Sequence, residues 1–258
     1  MKITKFVMTL FLLTTGIISI NAQIVKSKTT NTAIPKKPTI VFVHGLWADG
    51  SSWSKVMTIL QAQGYNTIAV QNPTTSLEDD VAATKRALDR LEGPVVLVGH
   101  SWGGFVITQA GNNPKVKSLV YVAALVPDEG DTIPVLSANA AANNLGTYFD
   151  SKDGFIKLSK EGVIAAFAQD LPAKEQAIIY ATQTPASEAI FGAKSGTPAW
   201  KNKPSFYVVA KKDGAINPAL ERFMSKRIKA KTIELDASHV PMISKPQEVS
   251  KLIIEACK

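Results

Sequence analysis

The chain is poor in the residues that most often build covalent frameworks and metal centres. It has one cysteine, Cys257, so it cannot form an intramolecular disulfide or a cysteine-based zinc site. Its three histidines, His44, His100 and His239, fall in separate segments, which argues against a dedicated metal cluster. Long apolar runs are also scarce. The main one, residues 6–20, is too short for the ~20 residues that cross a hydrocarbon core of ~30 Å. Charged residues are 19% of the chain and hydrophobic ones 45%, a balance that excludes wholesale disorder, collagen-like repeats and long coiled coils. Nothing repeats internally, and 258 residues suit one domain around one core.

Acidic residues are the minority, 21 against 29 basic ones, giving a formal charge of +8. The lysines are scattered, and scattered lysines solubilise a surface as readily as they bind polyanions. The densest basic run, residues 222–231 (RFMSKRIKAK), has helical spacing and reads as a solvated face, so no nucleic-acid partner is expected. Lys2 and Lys5 precede the apolar stretch, and Ile20-Asn21-Ala22 follows it before Gln23. That order is the pattern of a secretory signal peptide over residues 1–22, which implies a secreted or periplasmic protein without a stable membrane span. Residues 23–38, rich in Lys, Thr, Asn and Pro, read as a flexible N-terminal segment.

Beyond that point strand and helix patterns alternate. Continuous apolar, β-branched runs over 39–43, 67–70, 95–98, 118–124, 205–210 and 232–235 predict buried strands. Helices are predicted over 53–63, from a capping box at Thr75-Ser76-Leu77-Glu78 to residue 91, over 102–111, from about 217, and over 246–257. Strands separated by helices imply an α/β fold with a mostly parallel central sheet flanked by helices. The rhythm breaks over residues 126–203, where Ala-rich helical pieces occur without a convincing buried strand. An all-helical cap inserted between two parts of the core, 39–125 and 204–258, is the simplest account.

Gly99-His100-Ser101-Trp102-Gly103 matches G-x-S-x-G, the nucleophile elbow, where VVLV ends and a helix begins. The glycines let a strained strand-to-helix turn hold the serine while backbone and helix approach closely. A serine hydroxyl needs a base, and on this topology the order is serine, acid, histidine. His239 is the only histidine after Ser101. Asp213 lies on a loop just after the 205–210 strand, and Asp236 lies three residues before His239. Orienting an imidazole from a different loop favours Asp213, with Asp236 left open. The backbone N–H groups of Trp102 and Leu46 are the candidate oxyanion donors, and Trp47 and Phe105 are candidate pocket walls. His44 reads as a residue that ties its own loop, and His100 reads as structural or functional with equal ease.

HGLWADGSSW, GHSWGG, VVAKKDGAINP and ASHVPM together resemble the α/β-hydrolase superfamily. More narrowly they resemble small bacterial esterase-like hydrolases related to the plant methylesterase and hydroxynitrile lyase branch. The resemblance spans roughly residues 38–257. It implies Ser101 as nucleophile, Asp213 as acid, His239 as base, Leu46 and Trp102 as oxyanion donors, and no cofactor or metal. The expected activity is hydrolysis of a small-molecule carboxylic ester through an acyl-enzyme. Two other readings stay open: a lyase on the same scaffold, or a ligand-binding protein with a vestigial triad. The lyases of this branch carry Lys after the catalytic His and Thr after the HG pair, where this chain has Val240 and Leu46.

Overall fold

The computed structural model describes residues 37–258. The signal peptide and nearly all of the N-terminal segment expected from the sequence lie outside the described residues. β1 (Thr39–Val43) is buried at all five positions, which a strand sustains only when both faces of its sheet are covered. A short 3-10 turn, Gly50–Trp53, feeds α1 (Ser54–Ala62), and β2 (Thr67–Val70) follows. α2 (Leu77–Asp89) is capped by Ser76, one residue later than the capping box predicts. The Ser76 hydroxyl accepts from Asp79 N, while Thr75 uses its own hydroxyl on the Asp79 carboxylate. β3 (Val95–Ser101) runs three residues past its apolar stretch into the elbow, and α3 (Gly103–Ala110) starts at once. β4 (Val116–Ala124) completes this half of the sheet.

The interval before the next sheet strand holds α4 (Ile133–Ser137), β5 (Phe149–Lys152) and β6 (Phe155–Leu158). α5 (Lys160–Gly162) then continues into a π turn, Val163–Phe167, before α6 (Ala173–Thr182) and β7 (Ala186–Ser187). The insertion is therefore not all-helical: β5, β6 and β7 form an antiparallel three-stranded sheet. Its strands are short and half-polar, with only Ile156, Leu158 and Ala186 buried. Asp153 and Gly154, with φ of 51° and 79°, close the β5–β6 hairpin in the left-handed geometry that an Asp-Gly turn supplies.

β8 (Ser205–Ala210), α7 (Pro218–Arg227), β9 (Lys231–Leu235), α8 (Pro241–Ser244) and α9 (Pro246–Ala256) end the chain. The main sheet has the order β2-β1-β3-β4-β8-β9 with every pairing parallel. One hydrophobic core runs through it, from Ile40, Phe42 and Trp53 to Tyr207, Leu252 and Ile253. In a parallel sheet the loops at the carboxyl ends of the strands gather on one edge, where sites form. Residues 44–47 after β1, Ser101 at the end of β3, Asp213 after β8 and His239 after β9 all leave the sheet on that edge.

Candidate active site

Ser101 has φ of 52°, a left-handed conformation that costs a non-glycine residue ~1–3 kcal/mol. The surroundings hold it there. The register between β3 and β4 slips at this point, so that His100 faces Val122 and Ser101 faces Ala124. The extra residue, Ala123, is itself at φ 44°, and Leu125 N donates to the Ser101 carbonyl at 3.0 Å. Gly103 and Gly104 make the turn possible. A Cβ on Gly103 would lie 2.5 Å from the Val43 carbonyl oxygen, and one on Gly104 would lie 2.0 Å from that of Leu125.

His239 and Asp213 meet behind this turn. The His239 Nδ1 and Asp213 Oδ2 atoms are 2.5 Å apart, and both side chains are sealed from solvent. The other carboxylate oxygen, Asp213 Oδ1, accepts from Ala215 N at 2.7 Å and Ile216 N at 2.8 Å. Three donors thus fix the carboxylate plane, and His239 Nδ1 is the one that carries its proton toward Asp213. Asp236, the alternative acid, is exposed and paired with Lys212 at 2.8 Å, so the structure does not bring it to the imidazole. Lys212 beside it holds its proton more firmly than usual because of the Asp236 carboxylate.

The other two histidines hold the loops. His44 Nε2 accepts from Asn72 N at 2.9 Å, which leaves Nδ1 as the protonated nitrogen donating to the Gly45 carbonyl at 2.8 Å. Burial lowers its pKa and keeps it neutral. His100 Nε2 donates to the His239 carbonyl at 2.8 Å, with the two rings 4.6 Å apart. Burial, then the neighbouring His239, keep the His100 pKa well below the ordinary value. His100 therefore ties the strand that ends in Ser101 to the backbone of the His239 loop.

Ser101 and His239 open onto one cavity of about 300 Å³, whose wall includes Leu46, Trp47, Trp102, Leu125, Phe149 and Phe191. Among the described residues, no Asp, Glu, Lys or Arg lines it. Trp47 has φ of 57° and donates its indole N–H to the Ile156 carbonyl at 3.0 Å, pinning the loop after β1 to the inserted sheet. Phe105 departs from the expectation of a pocket wall. It is fully buried, stacks on Trp102 at 4.9 Å, and supports the wall from behind.

Sequence reasoning misses several residues here because their partners are distant in the chain. Asp80 is buried, accepts the Trp102 indole N–H at 2.8 Å and Thr74 N at 2.8 Å, and has its pKa pushed up to about 6 chiefly by burial. Asp170 of the insertion accepts both the backbone N–H, at 2.9 Å, and the hydroxyl, at 2.5 Å, of Ser238 beside the histidine. Gln169 donates to the carbonyl of Lys212, which precedes Asp213. The insertion thus grips both loops of the charge pair. The basic run is partly neutralised, with Arg222 on Glu234, Arg227 on Asp131 and Lys231 on Glu255. Among the described residues, no group of three or more His, Cys, Asp or Glu is placed to hold a metal ion, and no helix is long and apolar enough to cross a membrane.

A parallel six-stranded sheet with a serine elbow and a buried His–Asp pair on one edge defines the class of α/β hydrolases. The model of the alpha/beta hydrolase family matches residues 40–252, and the chain belongs to that family. It is 25% identical over 245 residues to a protein of Phoma sp. named "Probable hydrolase R7", covering 85% of this chain and 98% of that one. It is 24% identical over 245 residues to methylesterase 7 of Arabidopsis thaliana, covering 83% and 94% of the two chains. A pyrethroid hydrolase from Sphingobium faniae JZ-2 shares the fold with a TM-score of 0.73 at 23% identity, over 85% of this chain and 97% of that chain.

Proposed function

We propose that this protein is an exported serine hydrolase that cleaves carboxylic esters through an acyl-enzyme on Ser101. The buried His239–Asp213 pair, set at the cavity that holds Ser101, is the observation that carries this reading. Asp213 keeps the ring proton on His239 Nδ1, so Nε2 has the lone pair that accepts the Ser101 proton as Oγ attacks the ester carbonyl. The developing oxyanion is received by the backbone N–H groups of Trp102 and Leu46. The imidazolium then returns its proton to the departing alkoxide, releasing the alcohol. Water, deprotonated by the same nitrogen, cleaves the acyl-serine and restores the enzyme.

Relatives named hydrolases and esterases support the reaction class. The uncharged, largely apolar cavity wall supports a neutral ester with an apolar acyl or alcohol group, because a charged one would be desolvated there without a partner. Export is supported by the residue pattern over 1–22. The test is a panel of nitrophenyl esters of increasing acyl length, run beside Ser101→Ala. The variant should lose nearly all turnover, ~10⁶-fold in kcat by analogy with serine proteases. A Ser101→Ala protein that stays active refutes the nucleophile, and equal turnover of charged and neutral acyl esters refutes the substrate class.

A further inference from the structure

Behind the acid lies a second carboxyl group that the proposed reaction does not use. Glu221, in the first turn of α7, has no solvent exposure. Its Oε2 accepts from Ala210 N at 2.9 Å, at the end of β8. Asp213 N donates to the carbonyl of the same residue at 3.1 Å, so Glu221 and Asp213 grip the two sides of one residue's backbone. The second oxygen, Glu221 Oε1, is buried without any N–H or O–H donor among the described residues, and through the shared Ala210 backbone the Glu221 carboxyl is held close enough to that of Asp213 for the two charges to act on each other.

Among the described residues, the neighbours leave no cation for it. Arg222, next in sequence, is exposed and bound through two nitrogens to Glu234. Tyr207, buried on β8, spends its hydroxyl proton on the Ala124 carbonyl at 2.5 Å. Two ionised carboxylates in this setting would repel each other and offer each other no donor. A single proton on the pair removes both problems. Asp213 already receives three donors and Glu221 only one, so the proton between them belongs on Glu221. Burial, with Asp213 second, raises the affinity of Glu221 for that proton.

We propose that Glu221 is a positioning residue of the triad: a protonated carboxyl that donates to the Asp213 carboxylate from behind and holds it square to His239. The inference rests on the Ser101–His239–Asp213 reading above. The proton does two things there. It completes the hydrogen bonds of Asp213, and it spreads the negative charge so that the ring proton stays on His239.

Glu221→Gln keeps both functions, with an amide N–H for Asp213 and a carbonyl for Ala210 N, whereas Glu221→Met keeps the volume and loses both. On one activated nitrophenyl ester, Glu221→Met should lower kcat about 10- to 100-fold, the value of one hydrogen bond to a charged group, with KM changed less than about threefold. Glu221→Gln should stay within about threefold of the parent kcat, since it restores the donor. Difference infrared spectra at neutral pH should show the carbonyl stretch of a protonated carboxyl in the parent that Glu221→Gln lacks. Parental kcat in Glu221→Met, equal impairment of both variants, or no lost carboxyl band would each overturn the proposal. Should Glu221→Met not fold, the infrared band and Glu221→Gln decide. The band does not depend on turnover, so it separates failure of this proposal from failure of the triad, which Ser101→Ala reports.

Discussion

Replacing Asp213 with asparagine tests the acid with a change of one atom. The new side chain has two ways to sit. With its carbonyl at the Oδ1 position it keeps the bonds from Ala215 N and Ile216 N, both under 3 Å in the parent. Flipped, it would point its amide hydrogens at those two N–H groups and strand them. Each stranded buried donor costs ~1–3 kcal/mol, so the first orientation wins by several kcal/mol. The amide N–H₂ then faces His239 Nδ1 and forces that nitrogen to accept. The ring proton moves to Nε2, the atom that receives the serine proton in the proposed reaction. The fold survives and the base is blocked. The comparable change in a serine protease lowers kcat ~10⁴-fold, equivalent to ~5.5 kcal/mol of transition-state stabilisation. Asp236→Asn is the control: it breaks one exposed ion pair with Lys212, and kcat should change less than about twofold. The assay is kcat for both variants on one activated ester, with circular dichroism as the fold check. An Asp213→Asn enzyme with more than about a tenth of parental kcat refutes the argument, as does a dead Asp236→Asn.

Gly104→Ala places a methyl group 2.0 Å from the Leu125 carbonyl oxygen, a backbone atom that cannot step aside. It should lower stability by about 2 kcal/mol and Tm by about 4–8 °C in a thermal melt; an unchanged Tm would show that the α3–β4 packing is looser than described. Asp80 has a folded-state pKa of about 6 against 3.8 for an exposed aspartate. Between those values the folded protein keeps a proton that the unfolded chain has released, so this group's contribution to stability falls as pH rises from about 4 to about 6, by up to about 3 kcal/mol. Asp80→Asn has no such proton, so its stability deficit in urea unfolding should shrink from pH 4.5 to pH 7; a deficit constant with pH refutes the assignment. Trp47 separates the cavity of about 300 Å³ from a neighbouring pocket of about 170 Å³ lined by Phe167, Ile178 and Ile179. Trp47→Ala should move preference along the nitrophenyl ester series toward longer acyl chains, and an unchanged profile would place the acyl group elsewhere.

The main sheet is legible because a strand buried on both faces must be apolar at every position, and runs such as TIVFV and SFYVVA admit few other readings. Ser101 is legible because the strained turn demands glycine at fixed offsets, and His239 because no other histidine follows it. The two aspartates are a different case. Both follow a strand and both precede His239, and only the fold shows that Asp236 turns outward to Lys212 while Asp213 turns inward. The inserted strands are hidden because a short hairpin half exposed to water needs few apolar residues; Asp153-Gly154 is the one signal that could have found it. Asp80 and Glu221 carry no local signal at all. Each is an acidic residue in the first turn of a helix, where such residues are common, and their meaning comes from what the fold sets against them, Trp102 for Asp80 and the Ala210 backbone that Asp213 also grips for Glu221.

The parallel sheet also has a consequence in time. Every strand pairing in it must wait for a crossover to close, and the last pairing, β8 with β9, places the loop that carries His239. The bond from His100 to the His239 carbonyl joins residues 139 positions apart, so no early fragment of the chain can assemble the site. Chains dominated by such long-range contacts fold slowly, because loop entropy is spent before the contacts form. During refolding from denaturant, helix content should therefore return before esterase activity does. The appearance of turnover then serves as a clock for the final long-range step, read out by the chemistry itself.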